Sequence, residues 1–172
     1  MLAGRGSEEG SQVVKGPPMQ RREALCNARP MATVDTVRPY VEQLLREFCE
    51  TQHLVVDHDG DVPIRKGSTM YWVSLFEIED EAQVKVWSFM ARDVPDSDAL
   101  FRHLNEVNRG IHYGRVYFED GDVIVSTELL AQDLDPRELQ NACECIGSIS
   151  DAYDDELVAR FGGRVFFPDD PP

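Results

Sequence analysis

The sequence contains few basic residues for its length, and this scarcity limits the partners that it can have. Its 172 residues include 17 Lys and Arg against 32 Asp and Glu, which gives a formal net charge of −15. Nucleic-acid backbones and anionic membrane surfaces attract clustered positive charge. We therefore expect no nucleic acid and no membrane among its main partners. Apolar runs are also short, and none approaches the ~18 residues that span a bilayer.

Cysteine is scarce as well. The chain has four cysteines, too few for a disulfide scaffold: Cys26, Cys49, Cys143 and Cys145. No Cys-x-x-Cys pair exists that could hold zinc, and the first residues contain no apolar stretch typical of a secretory signal. These absences favour free thiols in a reducing compartment, and we predict a cytoplasmic protein.

Motifs of catalysis and metal binding are missing too. The sequence has no Gly-x-Ser-x-Gly elbow, no phosphate-binding loop and no His-Glu-x-x-His pair. Residues 57–61 resemble the start of a calcium loop, but Val62 stands where glycine is required and Ser68 where a glutamate should close the site. The histidines are predicted to be solvated or structural, and the acidic run at residues 151–156 to face water along a helix. We predict no catalytic residue, no metal and no cofactor, and expect that the protein is not an enzyme.

The first 33 residues differ in composition from the rest. They carry five basic and three acidic residues among Gly, Ser and Pro, without helical or strand periodicity. We predict a disordered leader over residues 1–33, a folded domain over 34–168 and a frayed tail over 169–172. Two interpretations of the leader stay open: a functional basic tail, or a start assigned too early, with Met19 or Met31 as the true first residue.

The predicted domain begins with a helical pattern and then changes to a period of two. Apolar residues recur every three to four positions up to Phe48, and Thr36 is the predicted N-cap of this helix. A hairpin is expected at Asp59-Gly60, between strands at residues 53–57 and 62–65. Pro63 restricts the second of these strands to a sheet edge. Two longer strands follow, over residues 69–78 and 83–91.

Two more helices and another hairpin complete the pattern. One helix extends from near Ser97 to Gly110, and a hairpin turns at Asp120-Gly121. The last helix begins after the predicted cap Asp135 and ends at residues 162–163. The order is α-β-β-(β)-β-α-β-β-α, with three or four strands in the first group. Short hairpin connections predict an antiparallel sheet, and segregated flanking helices predict the α+β class.

Aromatic side chains crowd the two long strands. Tyr71, Trp72 and Phe76 lie on the first strand, and Trp87 and Phe89 lie on the second. Both faces therefore carry large apolar groups, more than a sheet with one buried face needs. Two interpretations stay open. Either all of these rings belong to the core, or those on a face without helices form a dimer interface or an apolar groove for a peptide.

Five stretches of the sequence together resemble the YbjN-like family of bacterial proteins, in particular its actinobacterial members. They are DGDVPIRKGSTMYWVSL, VWSFMARDVP, LNEVN, STELLAQDLD and DDELVARFGGR, and the resemblance covers about residues 34–168. That family is grouped with the type III secretion chaperones as a peptide-binding fold. The resemblance implies a small cytoplasmic protein, homodimeric and without enzymatic activity, that holds an extended segment of a client along exposed apolar surfaces.

We therefore predict a non-enzymatic protein-binding module, a dimeric chaperone-like protein that holds a peptide segment of a client. Trp72, Trp87 and Phe89 are the candidate residues of its peptide-binding or dimer surface. The net charge of −17 on residues 34–172 would attract cationic or amphipathic clients. The alternative is a regulatory protein of a signalling or stress pathway that acts by protein–protein contacts, since YbjN-like proteins are also classed as sensory-transduction regulators.

Overall fold

The computed structural model describes residues 32–167, which form three helices and five strands. In chain order these are α1 (Val34–Phe48), β1 (Val62–Lys66), β2 (Thr69–Ile78), β3 (Glu81–Ala91), α2 (Asp98–Gly110), β4 (Arg115–Glu119), β5 (Asp122–Leu130) and α3 (Pro136–Phe161). Of the predicted leader only Ala32 and Thr33 are described, and the predicted tail at residues 169–172 lies outside the described residues. Between residues 32 and 167, no helix has both the length and the apolar content needed to cross a membrane.

All five strands belong to one antiparallel sheet, in the order β1-β2-β3-β5-β4. This confirms the predicted α+β class and its antiparallel sheet with flanking helices. Pro63 lies on β1 at an edge of the sheet, as predicted, where a residue without an N–H is tolerated. The first group has three strands in the part of the chain that the structure describes, so the optional fourth strand is not formed there.

The first hairpin is not at Asp59-Gly60, and that prediction is wrong. Residues 53–57 are not a strand. Instead, Asp57 closes a local turn, because its Oδ1 accepts hydrogen bonds from the backbone N–H groups of Asp59 and Asp61, each at 3.0 Å. The hairpin turn lies at Gly67-Ser68, between β1 and β2, where Gly67 has a positive φ of 55°.

The predicted cap of α3 and the predicted start of α2 near Ser97 are confirmed, whereas the predicted cap of α1 is wrong. The side chains of Ser97 and Asp135 accept hydrogen bonds from the first turns of α2 and α3. At α1 the N-cap is Thr33, and Thr36 is the third helical residue, whose Oγ1 accepts a hydrogen bond from the Thr33 N–H at 3.0 Å. The helix therefore begins three residues earlier than the sequence pattern predicted.

The three helices pack on one face of the sheet, which we call the covered face. Alternation along β3 makes this plain, because Val84, Val86 and Met90 are fully buried while Trp87 and Phe89 are half-buried. The core lies between the helices and the covered face. The opposite face, which we call the open face, has no helix packed on it in the described part of the chain.

Helix α3 approaches the sheet most closely at Gly147. A Cβ atom at this position would lie 2.8 Å from Cδ of Lys66 and 3.1 Å from Cε1 of the buried Tyr71. Nearby, three buried hydroxyl groups from β2, β3 and α3 bond one another at 2.8 to 3.0 Å: Thr69, Ser88 and Ser150. The absence of a side chain at Gly147 is what lets α3 pack this closely against β2.

We expect Gly147→Ala to destabilise the fold by about 1–3 kcal/mol, because the added methyl overpacks the contact with Tyr71 and this outweighs the higher helix propensity of alanine. Urea unfolding followed by circular dichroism measures the change. Gly110→Ala is the matched control, since nothing lies within 4 Å of a Cβ built at that helical glycine. Equal stabilisation by both substitutions would contradict the packing described here.

Candidate functional site

The open face carries a cluster of three aromatic rings: Trp72, Trp87 and Phe89, called the aromatic cluster below. Trp72 and Trp87 are direct partners in the pairing of β2 with β3, and their rings stack with centroids 4.9 Å apart and planes at 21°. The Phe89 ring meets both edge-on, at 5.7 and 5.1 Å. The structure thus brings together the three candidate residues of the sequence analysis, all half-buried.

The other two aromatic residues of these strands lie apart from the cluster. Tyr71 points to the covered face and is 2% exposed, and its burial raises the pKa of the phenol. Phe76 is on the open face and half-buried, near the end of β2. The interpretation of these rings as core therefore fits Tyr71 but not the aromatic cluster.

Cationic side chains lie over aromatic rings along the open face. The Lys85 ammonium is 5.4 Å from the Trp87 ring and the Arg92 guanidinium is 4.5 Å from the Phe89 ring. Arg115 lies 5.5 Å from the ring of its neighbour Tyr117. Such contacts are favourable because the negative face of an aromatic ring attracts a cation. Net charge alone did not predict them, because a sum over the chain does not say which face carries the few cations.

A hydrogen-bonded chain fixes the indole of Trp87. Its Nε1–H donates to Ser74 Oγ at 2.9 Å, and the Ser74 hydroxyl donates to Oδ2 of Asp61 at 2.6 Å. Burial raises the pKa of Asp61, and the nearby carboxylates of Asp57 and Asp59 act in the same direction, while the bond from Ser74 opposes them. The Asp61 carboxyl is therefore connected through Ser74 to the indole of Trp87, a ring of the aromatic cluster.

Part of the aromatic cluster is contacted by the residues that follow α3. Residues 162–167, called the return segment below, lead from the end of α3 to the open face. Arg164 and Arg92 exchange both backbone hydrogen bonds, at 2.9 and 2.8 Å. The Phe166 ring then lies 5.3 Å from Trp72 and stacks on Phe89 at 6.4 Å. Sequence analysis missed this contact; the signal available was the apolar triplet at residues 165–167, one residue after Gly162-Gly163.

The edge of the sheet at β4 is already occupied by a side chain. Asn108 of α2 donates from Nδ2 to the carbonyl oxygen of Val116 at 2.8 Å and accepts from the Val116 N–H at 2.7 Å. The amide thus bonds both outward backbone groups of Val116, the second residue of β4, as a neighbouring strand would. This disfavours edge-to-edge pairing at β4 and leaves the open face as the larger unpartnered surface.

Another groove lies on the other side of the sheet, between α3 and β5. It has a volume of about 700 Å³. Its lining consists of Tyr113, Thr127, Leu129, Glu138, Asn141, Ala142, Glu144, Cys145 and Ser148. Burial raises the pKa of the Cys145 thiol, which lies 3.5 Å from the carbonyl oxygen of Tyr113. A raised pKa makes a thiol a poorer nucleophile at neutral pH, and the lining includes no histidine.

The loop that resembled a calcium site brings three possible ligands together. Asp57, His58 and Asp59 have ligand atoms within 4.8 Å of one another, with His58 and Asp59 exposed. Solvated carboxylates in a turn explain this arrangement, and Asp57 is already used by the turn itself.

Two polar residues expected at the surface are buried. Asp154, within the acidic run predicted to face water, is 2% exposed and accepts a hydrogen bond from Ser68 Oγ at 2.6 Å, and burial raises the pKa of its carboxyl. His103, which the helical pattern placed on a polar face, is 7% exposed, and its Nδ1 lies 2.9 Å from a nitrogen of Arg160. Both residues join elements of the fold, so His103 fits the structural interpretation.

Comparison with solved structures defines the class of the fold. A chain of the ExsC–ExsE complex is 18% identical and has a TM-score of 0.52, over 77% of this chain and 97% of that one. A chain of the HopA1–SchA chaperone–effector complex is 12% identical at a TM-score of 0.50, over 67% and 94%. YbjN from E. coli is 12% identical at 0.49, over 73% and 94%. The first two of these comparisons show a type III secretion chaperone-like fold, as predicted.

The sequence comparison identifies the family. Residues 35–169 match the family described as type III secretion system (YopN, CesT) and YbjN peptide-binding chaperone 1, and the chain belongs to this family. The resemblance stated from the sequence is thereby confirmed. No curated protein matches the chain.

The Asp61–Ser74–Trp87 chain leads to a pH-dependent prediction. Because the pKa of Asp61 is raised in the folded chain, ionisation of this carboxyl disfavours folding. We expect wild type to gain stability relative to Asp61→Asn as the pH falls from 7 through the raised pKa, and tryptophan emission to change over the same range. Urea unfolding and fluorescence titrations measure both effects. Glu106→Gln is the control, because this exposed carboxyl on α2 is not among the groups that act on Asp61, and it should titrate like wild type. Identical titrations of Asp61→Asn and wild type would contradict the coupling.

Proposed function

We propose that this protein binds an extended segment of a client protein on the open face of its sheet and catalyses no reaction. The observation that carries the proposal is the aromatic cluster, three half-buried rings on a face that no helix of the described residues covers. Family membership supports peptide binding as the general activity. Exposed apolar surface of this kind is typical of interaction sites.

The shape of the open face suits an extended chain. Two shallow grooves lie on either side of Trp87, one of about 590 Å³ towards Phe76 and Arg115, the other of about 320 Å³ towards Phe89 and Tyr117. An extended segment presents alternate side chains to the same side, so successive side chains on that side would enter the two grooves while the chain crosses the indole.

The charge of the open face refines the kind of client. The overall acidic charge favours cationic clients at long range. At the open face, however, Lys85, Arg92 and Arg115 lie over rings. Arg92 and Arg115 already pair there with Asp122 and Glu128, at 3.4 and 2.8 Å. Aromatic side chains of a client, rather than acidic ones, would therefore make the favourable short-range contacts with the rings and the cations over them.

We further propose that the protein is a homodimer and holds one client segment per pair of chains. Large exposed apolar side chains outside the aromatic cluster support a second interface: Tyr113, Val55 and Leu130 are 76%, 70% and 62% exposed. Sedimentation of the free protein and of the client complex measures both stoichiometries. A monomer that binds a client one to one would refute the dimer and leave the peptide-binding proposal intact.

The test of the function is capture of a client by tagged full-length protein from its host, compared between wild type and Trp87→Ala. We expect the dominant partner to fall at least about ten-fold with Trp87→Ala, since an aromatic anchor of an interface contributes about 2 kcal/mol or more. Hydrogen exchange on the recovered complex should then protect one short segment of the client.

Phe101→Ala is the matched control, because Phe101 is also surface-exposed, at 46%, but packs on Phe118 of the covered face. It should retain the partner. Circular dichroism should be unchanged for both variants; loss of structure in Trp87→Ala would show instead that the ring is core. Undiminished capture by Trp87→Ala would contradict the proposal and favour the alternative of a regulator with a different contact surface.

A further inference from the structure

We infer that the return segment is a built-in occupant of the client site, and that the client segment which displaces it carries two adjacent aromatic residues. The inference rests on the proposed function, since it concerns the same open face. It goes further by naming the side chains that the face selects and the part of this chain that competes for them.

The backbone of the return segment is held by a single antiparallel bridge to the residue that follows β3. Arg164 exchanges both backbone hydrogen bonds with Arg92, directly after the end of β3. The path depends on Gly163, which has a φ of +90° and whose Cβ, if present, would clash with the Arg92 carbonyl oxygen and lie 2.8 Å from Cγ2 of Val94. Only glycine fits such a close approach at a positive φ. Gly163 therefore allows the chain to turn here, so that the residues after it reach the open face.

The side chains of the return segment show what the open face accepts. The Phe166 ring meets Trp72 edge-on at 73° and lies parallel to Phe89 at 7°. The next residue, Phe167, packs on Phe166 at 4.8 Å and lies under the guanidinium of Arg65 at 4.6 Å. Two adjacent aromatic side chains thus use two different partners, the aromatic cluster and an arginine. A client segment with the same pair would find the same contacts.

The attachment of the return segment is weak enough to be displaced. It includes one antiparallel pair of backbone hydrogen bonds, the half-buried ring of Phe166 and the contact of Phe167 with Arg65. It also includes an ion pair between Arg164 and Asp93, whose side chains are 52% and 67% exposed. An ion pair this exposed adds little stability. The core strands, by contrast, are paired over five or more residues. The segment can therefore open without unfolding the sheet.

The competition has a measurable consequence. A segment tethered beside its site has an effective concentration in the millimolar range. A free ligand binds only the molecules in which the segment is open, so its apparent affinity is its intrinsic affinity multiplied by the open fraction. Weakening the segment should raise the affinity for a free copy of the same sequence. The two tryptophans of the chain both belong to the aromatic cluster, so tryptophan emission reports binding there.

The experiment titrates full-length protein with the synthetic peptide acetyl-GGRVFFP-amide, the sequence of residues 162–168. We expect Phe166→Ala and Gly163→Ala to bind it about ten-fold more tightly than wild type does. Phe101→Ala should bind like wild type. Gly163→Ala matters because it alters the path of the segment without removing a ring. A peptide with Leu in place of both Phe should bind roughly three- to ten-fold more weakly than the parent peptide.

A disulfide lock tests the same point in the opposite direction. Residues 92 and 164 form a hydrogen-bonded antiparallel pair, whose Cα atoms lie about 5.5 Å apart, within the span of a disulfide. The double variant Arg92→Cys with Arg164→Cys should lose peptide binding when oxidised and regain it when reduced. Arg164→Cys alone is the control for the native cysteines and should respond to neither treatment.

Equal peptide affinity in wild type, Phe166→Ala and Gly163→Ala would overturn the inference, as would an oxidised lock that still binds. Absence of peptide binding in every variant would overturn it too, because the segment would then not resemble a ligand. The proposed function fails separately, through undiminished client capture by Trp87→Ala. A client that binds wild type and the oxidised lock equally would refute the inference alone.

Discussion

The structure depends on one constraint: the sheet has two apolar faces and the helices cover only one of them. β2 and β3 carry buried valines towards the helices and the aromatic cluster towards the other side. On that second side, the return segment contributes Phe166, which contacts two of the three rings, and Asp61 accepts a hydrogen bond from Ser74. Burial of apolar surface is the main driving force of association. A partner that covers the rest of the open face therefore gains the free energy of burying the apolar surface that remains exposed there.

Helix α3 connects the two sides of this arrangement. Its middle packs on β2 through Gly147, where a side chain would collide with Tyr71. Its acidic third quarter holds the β1–β2 turn, since Ser68 bonds to Asp151 and to the buried Asp154. Its end then passes through Gly163 into the return segment. The position of the end of α3 thus determines where the return segment begins its path to the open face.

The sequence predicted those features that depend on local periodicity, and missed those that depend on distant partners. Alternation along β2 and β3 placed Trp72, Trp87 and Phe89 on one face, because a strand has a strict period of two. The hairpin predicted at Asp59-Gly60 failed because the Asp57 side chain captures the backbone N–H groups that a strand would need. The return segment is too short to show a periodic sequence pattern, and its partners lie more than seventy residues earlier in the chain. The burial of Asp154 likewise depends on Ser68, far away in the chain.

The most direct test of the account is a nuclear magnetic resonance titration of isotope-labelled full-length protein with the client segment identified by capture. The two indole N–H signals belong to Trp72 and Trp87, so they report on the aromatic cluster without ambiguity once each is assigned. The account predicts that both signals shift on binding, together with the amides of residues 162–167. Shifts confined to residues of the α3–β5 groove, such as Tyr113 and Cys145, with both indole signals unmoved, would contradict it.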